Sequence, residues 1–164
     1  MNSKTKIFFS YSLVFIAIFL IDRISKLYVV NLANNIGYVD IQINNYLNIF
    51  LIWNTGIGFG LLSLDNNIFY SIITLIILLI NLFIIYLILK SDRLRSFLFL
   101  LVLGGSCGNL FDRIYYSAVP DFIDLNYKGF HWFIFNVADI FISIGLICLI
   151  FIEILDYKKV LNEN

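Results

Sequence analysis

An almost uninterrupted apolar run from Ile68 to Leu89 constrains the fold more than any other feature of the chain. Only Ser71, Thr74 and Asn81 interrupt its 22 residues. A helix rises about 1.5 Å per residue, so one of this length crosses a bilayer hydrocarbon core of about 30 Å. The run therefore predicts a membrane-spanning helix.

Three further apolar segments, at about residues 7–28, 96–113 and 133–155, complete the pattern. The chain is 61% hydrophobic and 13% charged, against about 45–50% apolar and about 25% charged in soluble domains. We predict an all-α integral membrane protein with four transmembrane helices in one domain over residues 1–164. The first helix should be retained, because Asp22 and Arg23 stand where a cleaved leader would carry small residues.

The distribution of basic residues predicts the orientation. Seven of the eleven fall at the termini or in the short second connection: Lys4, Lys6, Lys90, Arg93, Arg95, Lys158 and Lys159. Cytoplasmic segments are enriched in Lys and Arg, so both termini should be cytoplasmic. The segments of about residues 30–67 and 114–132 are then extracytoplasmic. Apolar and polar residues alternate from Val39 to Ile43, which predicts a small β-rich segment between helices 1 and 2.

Composition also limits the ligands. The formal net charge is zero and no basic block is present, so we expect no nucleic-acid partner. His131 is the only histidine and cannot complete a usual zinc set. Cys107 and Cys148 lie in apolar runs and are expected to be packing residues. We therefore expect no metal, cofactor or disulfide.

Two predicted helices carry polar residues along one face near their outer ends. These residues are Ser106, Asn109 and Arg113 on the third helix, and Asn136, Asp139 and Ser143 on the fourth. Amide and ionisable side chains are costly inside a membrane and therefore mark candidate functional sites. The alternative for any single Asn or Ser is an interhelical hydrogen bond.

Aspartates near these faces suggest a reaction. When two carboxylates share a site, one remains ionised and the other keeps a proton at neutral pH. The first can take a proton from water while the second protonates a peptide carbonyl, as in aspartic peptidases. The pattern alone leaves Asp112 and Asp121 as alternative partners for Asp139.

Other readings of the residues remain open. The string from Gly104 to Gly108 matches the G-x-S-x-G motif of serine hydrolases, with Ser106 as nucleophile and His131 as base. That motif requires a strand-to-helix turn, whereas here the two glycines favour close helix packing. Buried aspartates also occur in small oligomeric transporters and proton relays, and a non-catalytic assembly factor is a third possibility.

Five motifs resemble those of the lipoprotein signal peptidases, also called signal peptidase II, a family of membrane aspartic peptidases. They are Asp22-x-x-x-Lys26, Asn54-Thr55-Gly56-Ile57-Gly58-Phe59-Gly60, Val119-Pro120-Asp121-Phe122-Ile123-Asp124, Gly105-Ser106-Cys107-Gly108-Asn109-Leu110-Phe111-Asp112-Arg113 and Phe135-Asn136-Val137-Ala138-Asp139. Pro120 departs from the apolar residue usual before this aspartate, and it removes a backbone donor there.

The resemblance implies a role for each motif residue. It makes Asp121 and Asp139 the catalytic pair. Residues implied to bind substrate or shape the site are Asn54, Gly56, Asn109, Arg113, Asn136 and Ala138. Residues implied to be structural are Asp22, Lys26, Gly105, Gly108 and Asp112. Asp22 and Lys26 have the spacing of a helical ion pair, and Asp112 is expected to be paired with its neighbour Arg113.

The resemblance also implies a substrate and a location. The substrate would be a bacterial prolipoprotein, cut just before a diacylglyceryl-modified cysteine. The enzyme would lie among the lipids of the bacterial cytoplasmic membrane with its site at the extracytoplasmic face, where acyl chains hold the cysteine. The surface segment containing Asn54 and Gly56 could close over the bound peptide.

Overall fold

The computed structural model describes residues 3–56, 67–127 and 130–163. Within them the chain forms four long helices and four strands. Their order is α1 (Ser3–Ile36), β1 (Asp40–Gln42), β2 (Leu47–Asn54), α2 (Asn67–Lys90), α3 (Arg93–Tyr116), β3 (Val119–Tyr127), β4 (Phe130–Phe135) and α4 (Val137–Glu163). Each helix contains a stretch that is long and apolar enough to cross a membrane, as predicted.

Helix α3 is the central helix of the bundle, since more than half of its most apolar stretch is buried while the other three are mostly exposed. Asp92 caps its first turn by accepting from the backbone N–H groups of Leu94 and Arg95. Apolar residues of α2, α3 and α4 pack together in one cluster: Ile84, Leu98, Val102, Leu103 and Leu149. Large apolar side chains on the outer faces suit contact with lipid.

The strands form one antiparallel sheet in the order β1-β2-β3-β4. Helix α1 has 34 residues, more than the roughly 20 that a bilayer core requires. Its last turns therefore continue to the sheet, where Val29 packs with Val39 and Phe122. This contact fixes the sheet against the end of the bundle at which α1 and α3 finish and α4 begins.

Several predicted boundaries differ from the structure. The fourth helix begins at Val137 rather than near residue 133, because residues 133–135 belong to β4. The first helix ends at Ile36 rather than near 28, and the third at Tyr116 rather than near 113. Half of the sheet comes from the connection between α3 and α4, where the sequence analysis predicted no strands.

Candidate active site

Asp121 lies on β3 and is 1% exposed. The Nδ2 of Asn54 donates to one of its carboxylate oxygens at 2.8 Å, and the Nδ2 of Asn136 donates to the other at 2.6 Å. Among the described residues, no Lys, Arg or His forms an ion pair with it. Asp121 is therefore a buried carboxylate held by neutral amides.

Asp139 is fixed by the start of helix α4. Asn136 precedes the helix, and its side-chain oxygen accepts from the Asp139 backbone N–H at 3.1 Å. In return, the Asp139 carboxylate accepts from the Asn136 backbone N–H at 3.1 Å. This reciprocal pair is a capping box with Asp in the place of the usual Glu. The second Asp139 oxygen accepts from Asn109 Nδ2 of α3 at 2.8 Å.

Asn136 joins the two aspartates, because it donates to Asp121 from its side chain and to Asp139 from its backbone. Each of the four carboxylate oxygens thus receives one N–H donor. Both carboxylates line a cavity of about 230 Å³. The other residues of its wall are Asn54, Ile77, Ser106, Asn109, Arg113, Val119, Asn136, Ile142 and Ser143. We call Asp121 and Asp139 the dyad, and this space the dyad cavity.

The pKa of Asp121 is raised to about 6, mainly by burial and next by the nearby negative charge of Asp139. The amide donors of Asn54 and Asn136 and the charge of Lys26 act in the opposite direction but are weaker. Two carboxylates that interact in this way titrate as a pair. The arrangement can therefore hold one proton near neutral pH and provide both an acid and a base.

Behind the dyad cavity lies a second group of buried charges, formed by Asp22, Arg23 and Lys26 of α1 with Asp112 of α3. Arg23 donates to Asp112 at 2.6 Å. Lys26 Nζ donates to Asp22 at 2.9 Å and to Asp112 at 2.8 Å, so the structure contains the ion pair expected from the spacing of residues 22 and 26. We call these four residues the balanced cluster, since they comprise two acids and two bases.

The expected partner of Asp112 was wrong. Asp112 pairs with Arg23 and Lys26 and not with its neighbour Arg113, because consecutive residues of a helix point about 100° apart. No role was predicted for Arg23 from the sequence. A second basic residue inside an apolar run, three positions before Lys26, is the pattern that could have identified it.

Arg113 points instead toward the dyad cavity and is 5% exposed. Its Nη2 donates to the backbone oxygen of Gly56, and its guanidinium lies 5.4 Å from the centre of the Tyr70 ring. Its Nε and Nη1 have no hydrogen-bond partner within the described part of the chain. A buried cation with two unused donors at the cavity wall is suited to bind an oxygen of a ligand.

Small residues allow the helices to approach closely around these charges. A Cβ at Gly105 would stand 2.5 Å from the backbone oxygen of Ala138, and one at Gly108 would collide with the Asp22 carboxylate. Ala138 is fully buried, and its N–H donates to Asp22 Oδ1 at 3.0 Å. Gly105, Gly108 and Ala138 thus keep α1, α3 and the start of α4 in contact beside the dyad cavity.

An apolar groove of about 280 Å³ meets the dyad cavity at Asp139 and Ser143. It follows α4 and the adjacent strands, and its other lining residues are Leu125, Phe133, Phe135, Ile140, Ile144 and Ile147. This groove could not be predicted from the sequence, because it forms only where three apolar strand residues meet three apolar helix residues. We call it the α4 groove.

The serine-hydrolase reading does not fit the structure. Ser106 lies within the continuous helix α3 and not on a strand-to-helix turn. His131 lies on β4, where its Nδ1 is 2.7 Å from Asp124 Oδ2. Of the motif from Asn54 to Gly60, residues 57–60 lie outside the described part of the chain.

Comparison with known proteins decides the family. Residues 14–155 match the family described as signal peptidase (SPase) II. The chain belongs to the signal peptidase II family. It is 50% identical over 159 residues to the lipoprotein signal peptidase of Pelagibacter ubique, covering 97% of this chain and 96% of that protein. It is 38% identical over 138 residues to that of Anaplasma phagocytophilum, covering 82% and 85%.

The fold also matches solved structures of bacterial membrane enzymes. One described as a bacterial membrane enzyme, solved by the in meso method at 2.3 Å resolution, superposes with a TM-score of 0.75 at 27% identity. The superposition covers 92% of this chain and 90% of that one. The chain is therefore a multi-pass membrane peptidase, and the transporter or proton-relay alternative is not favoured.

Proposed function

We propose that this signal peptidase II is an aspartic-type endopeptidase that removes the signal peptide from bacterial prolipoproteins, cutting before the diacylglyceryl-modified cysteine. Asp121 and Asp139 are its catalytic residues. One observation carries the proposal: both carboxylates line the dyad cavity, and Asn136 donates a hydrogen bond to each. The names of the relatives, lipoprotein signal peptidases, support the substrate class.

The dyad needs only one shared proton and a water molecule. The ionised carboxylate takes a proton from water as the water oxygen bonds to the peptide carbonyl carbon, and the protonated carboxyl gives its proton to the carbonyl oxygen. The tetrahedral diol then collapses. The C–N bond breaks, the departing nitrogen receives a proton from one carboxyl, and a diol hydroxyl returns a proton to the other. We expect no metal or cofactor in this reaction.

Arg113 is the proposed donor to a backbone carbonyl of the bound peptide. Its Nε and Nη1 have no partner within the described residues, so an extended peptide in the dyad cavity would complete their hydrogen bonding. Asn54 of β2, Asn109 of α3 and Asn136, just before α4, hold the carboxylates and thereby shape the site. Gly56 accepts from Arg113 and fixes its direction.

The α4 groove supports a lipid-bearing substrate. Its walls are almost entirely apolar, and it opens from the dyad cavity beside Asp139. Because α4 continues from this point across the membrane, an acyl chain attached next to the scissile bond could follow the groove without crossing polar surface. A peptide lacking lipid would leave these walls uncovered.

The proposed location is the bacterial cytoplasmic membrane, with cytoplasmic termini and an extracytoplasmic site. Lys90 ends α2, and Lys158 and Lys159 lie near the end of α4, away from the sheet, whereas Asp121 belongs to β3 and Asp139 to the first turn of α4. The asymmetry of Lys and Arg supports this orientation. The scissile bond would then lie near the outer leaflet, where acyl chains keep a lipidated cysteine.

The proposal is tested with purified protein in detergent, given one precursor in lipidated and unlipidated forms, each with and without a chelator. We expect cleavage of the lipidated form alone, before the cysteine, at equal rates with and without chelator. Mass spectrometry of the products gives the cleavage position. Rapid cleavage of the unlipidated form would contradict the substrate assignment, and loss of activity with chelator would contradict a metal-free aspartic mechanism.

A further inference from the structure

Three asparagine side-chain amides donate to the dyad, and each can donate only when its N–H group faces the carboxylate. An amide has nearly the same shape when its oxygen and nitrogen are exchanged, so neighbours must select the orientation that places N–H against the carboxylate. A backbone N–H fixes two of the three: Gly56 N donates to the Asn54 oxygen at 2.8 Å, and Asp139 N donates to the Asn136 oxygen at 3.1 Å.

The third amide is fixed by a side chain. Lys26 Nζ donates to the Asn109 oxygen at 2.6 Å, and Asn109 Nδ2 donates to Asp139 at 2.8 Å. Lys26 is 1% exposed, and its other two acceptors are Asp22 and Asp112. An ammonium group has three N–H donors and no acceptor. All three are used, and one of them points out of the balanced cluster toward the dyad.

We propose that Lys26 is a positioning residue for the dyad, acting through Asn109; the inference rests on the proposed function. With the amide flipped, its N–H groups would face the ammonium and its oxygen would face the Asp139 carboxylate. Both contacts would be repulsive. Lys26 thus keeps a donor on Asp139 and carries the influence of a buried positive charge to it through one neutral amide.

The neighbouring base provides a matched comparison. Arg23 contacts Asp22 and Asp112, as Lys26 does, but forms no hydrogen bond to Asn109 among the described residues. If the cluster served only to bind α1 to α3, the two bases would have equivalent parts. The contact with Asn109 is what distinguishes them, and it connects α1 to a dyad located on β3 and α4.

The test compares Lys26→Met with Arg23→Met, since each removes one cation from the balanced cluster. Cleavage of the lipidated precursor is measured on the folded fraction of each variant. We expect Lys26→Met to lower kcat by about 10- to 100-fold with little change in KM, because a misplaced donor affects the reacting groups more than substrate binding. Arg23→Met should retain kcat close to that of the unmodified protein.

Two readouts separate positioning from a structural effect. The acid limb of the kcat profile should move to higher pH in Lys26→Met and not in Arg23→Met, since the ionised state of the dyad loses support. Lys26→Met should also add little to the loss caused by Asn109→Ala, because both remove the same donor. Equal losses in the two Met variants, or additive losses with Asn109→Ala, would overturn the proposal.

If Lys26→Met does not fold, the double variant with Asp112→Asn is made, because it leaves one acid and one base in the balanced cluster. If that double variant also fails to fold, the role of Lys26 is structural and the proposal is overturned. If the unmodified protein does not cleave the lipidated precursor, the proposed function fails instead. Normal cleavage by the unmodified protein together with equivalent Lys26→Met and Arg23→Met variants would reject the positioning role alone.

Discussion

The dyad and the balanced cluster each contain two aspartates, but the hydrogen-bond donors that surround these aspartates differ in charge. Asp22 and Asp112 are fully buried and lie within hydrogen-bonding distance of Arg23 or Lys26. Within the described ranges, the two dyad aspartates accept hydrogen bonds only from amide N–H groups. Asp22 and Asp112 form ion pairs with cations, whereas the dyad accepts hydrogen bonds from uncharged amides.

This difference suits the two groups to different roles, the balanced cluster to stability and the dyad to proton transfer. A buried carboxylate paired with a cation is kept ionised and cannot exchange protons usefully near neutral pH. Neutral amides compensate only part of a buried charge, so two carboxylates held by amides retain a proton between them. The proposed catalytic acids thus lie beside a charge-neutral group that connects α1 to α3.

The largest expected effect is on the dyad. Asp121→Asn and Asp139→Asn should each lower kcat for the lipidated precursor by at least about a thousandfold, because an amide cannot exchange the required proton. The free energy of unfolding should change little, because removal of a buried charge offsets the loss of one accepted hydrogen bond, where the new amide N–H faces a fixed N–H donor. Initial rates and thermal unfolding in detergent measure the two quantities.

Ser106→Ala is the matched control for these substitutions, because Ser106 lines the same cavity and makes no hydrogen bond to either aspartate. It should cleave at a rate near that of the unmodified protein. Normal cleavage by both Asn variants would end the dyad assignment.

A substitution in the balanced cluster should give the reverse pattern. Asp112→Asn leaves two buried cations with one acid, and breaking a buried pair in this way costs about 4 kcal/mol of unfolding free energy. Protein that does fold should still cleave the precursor. Denaturant titration alongside the rate assay checks this. A large loss of kcat without loss of stability would place Asp112 with the dyad after all.

The smallest expected effect is the pH dependence of stability. Asp121 binds its proton more tightly in the folded state, with a pKa of about 6, than in the unfolded state, where the pKa is about 3.9. Between these values the folded protein keeps a proton that the unfolded chain has lost.

Stability should therefore fall as pH rises from about 4 to about 6 and change little above that, by at most about 3 kcal/mol. Asp121→Asn should lack this component of the slope, while Asp112→Asn should retain it. Unfolding midpoints measured across this pH range check the sign. An increase in stability over the same window, abolished by Asp121→Asn, would contradict the assigned direction.

Much of the architecture follows from local patterns in the chain. The four membrane helices were predictable because apolar runs longer than about 18 residues have few other stable solutions. Strand β3 was not predicted, since Pro120 and two aspartates obscure any alternation. Only pairing with β2, where Pro120 lies opposite Trp53, makes this segment a strand. The start of α4 was misplaced because Phe133 and Phe135 suit a strand and a membrane helix equally well.

The sequence indicated which residues the candidate site contains, but not which contacts they form. Motifs indicated that Asp121, Asp139 and the three asparagines would be used together. The partner of Asp112 was wrong, and the role of Arg23 and the α4 groove were missed, because each depends on which faces of α1, α3 and α4 meet.

The sequence by itself determined that this chain enters a membrane and which polar residues it places there, because the cost of exposing charge to lipid is a property of each segment. Tertiary structure decided which acids meet cations and which meet amides. That choice depends on contacts between residues as far apart as Lys26 and Asp112, which the glycines of α3 permit and the spacing along one helix cannot specify.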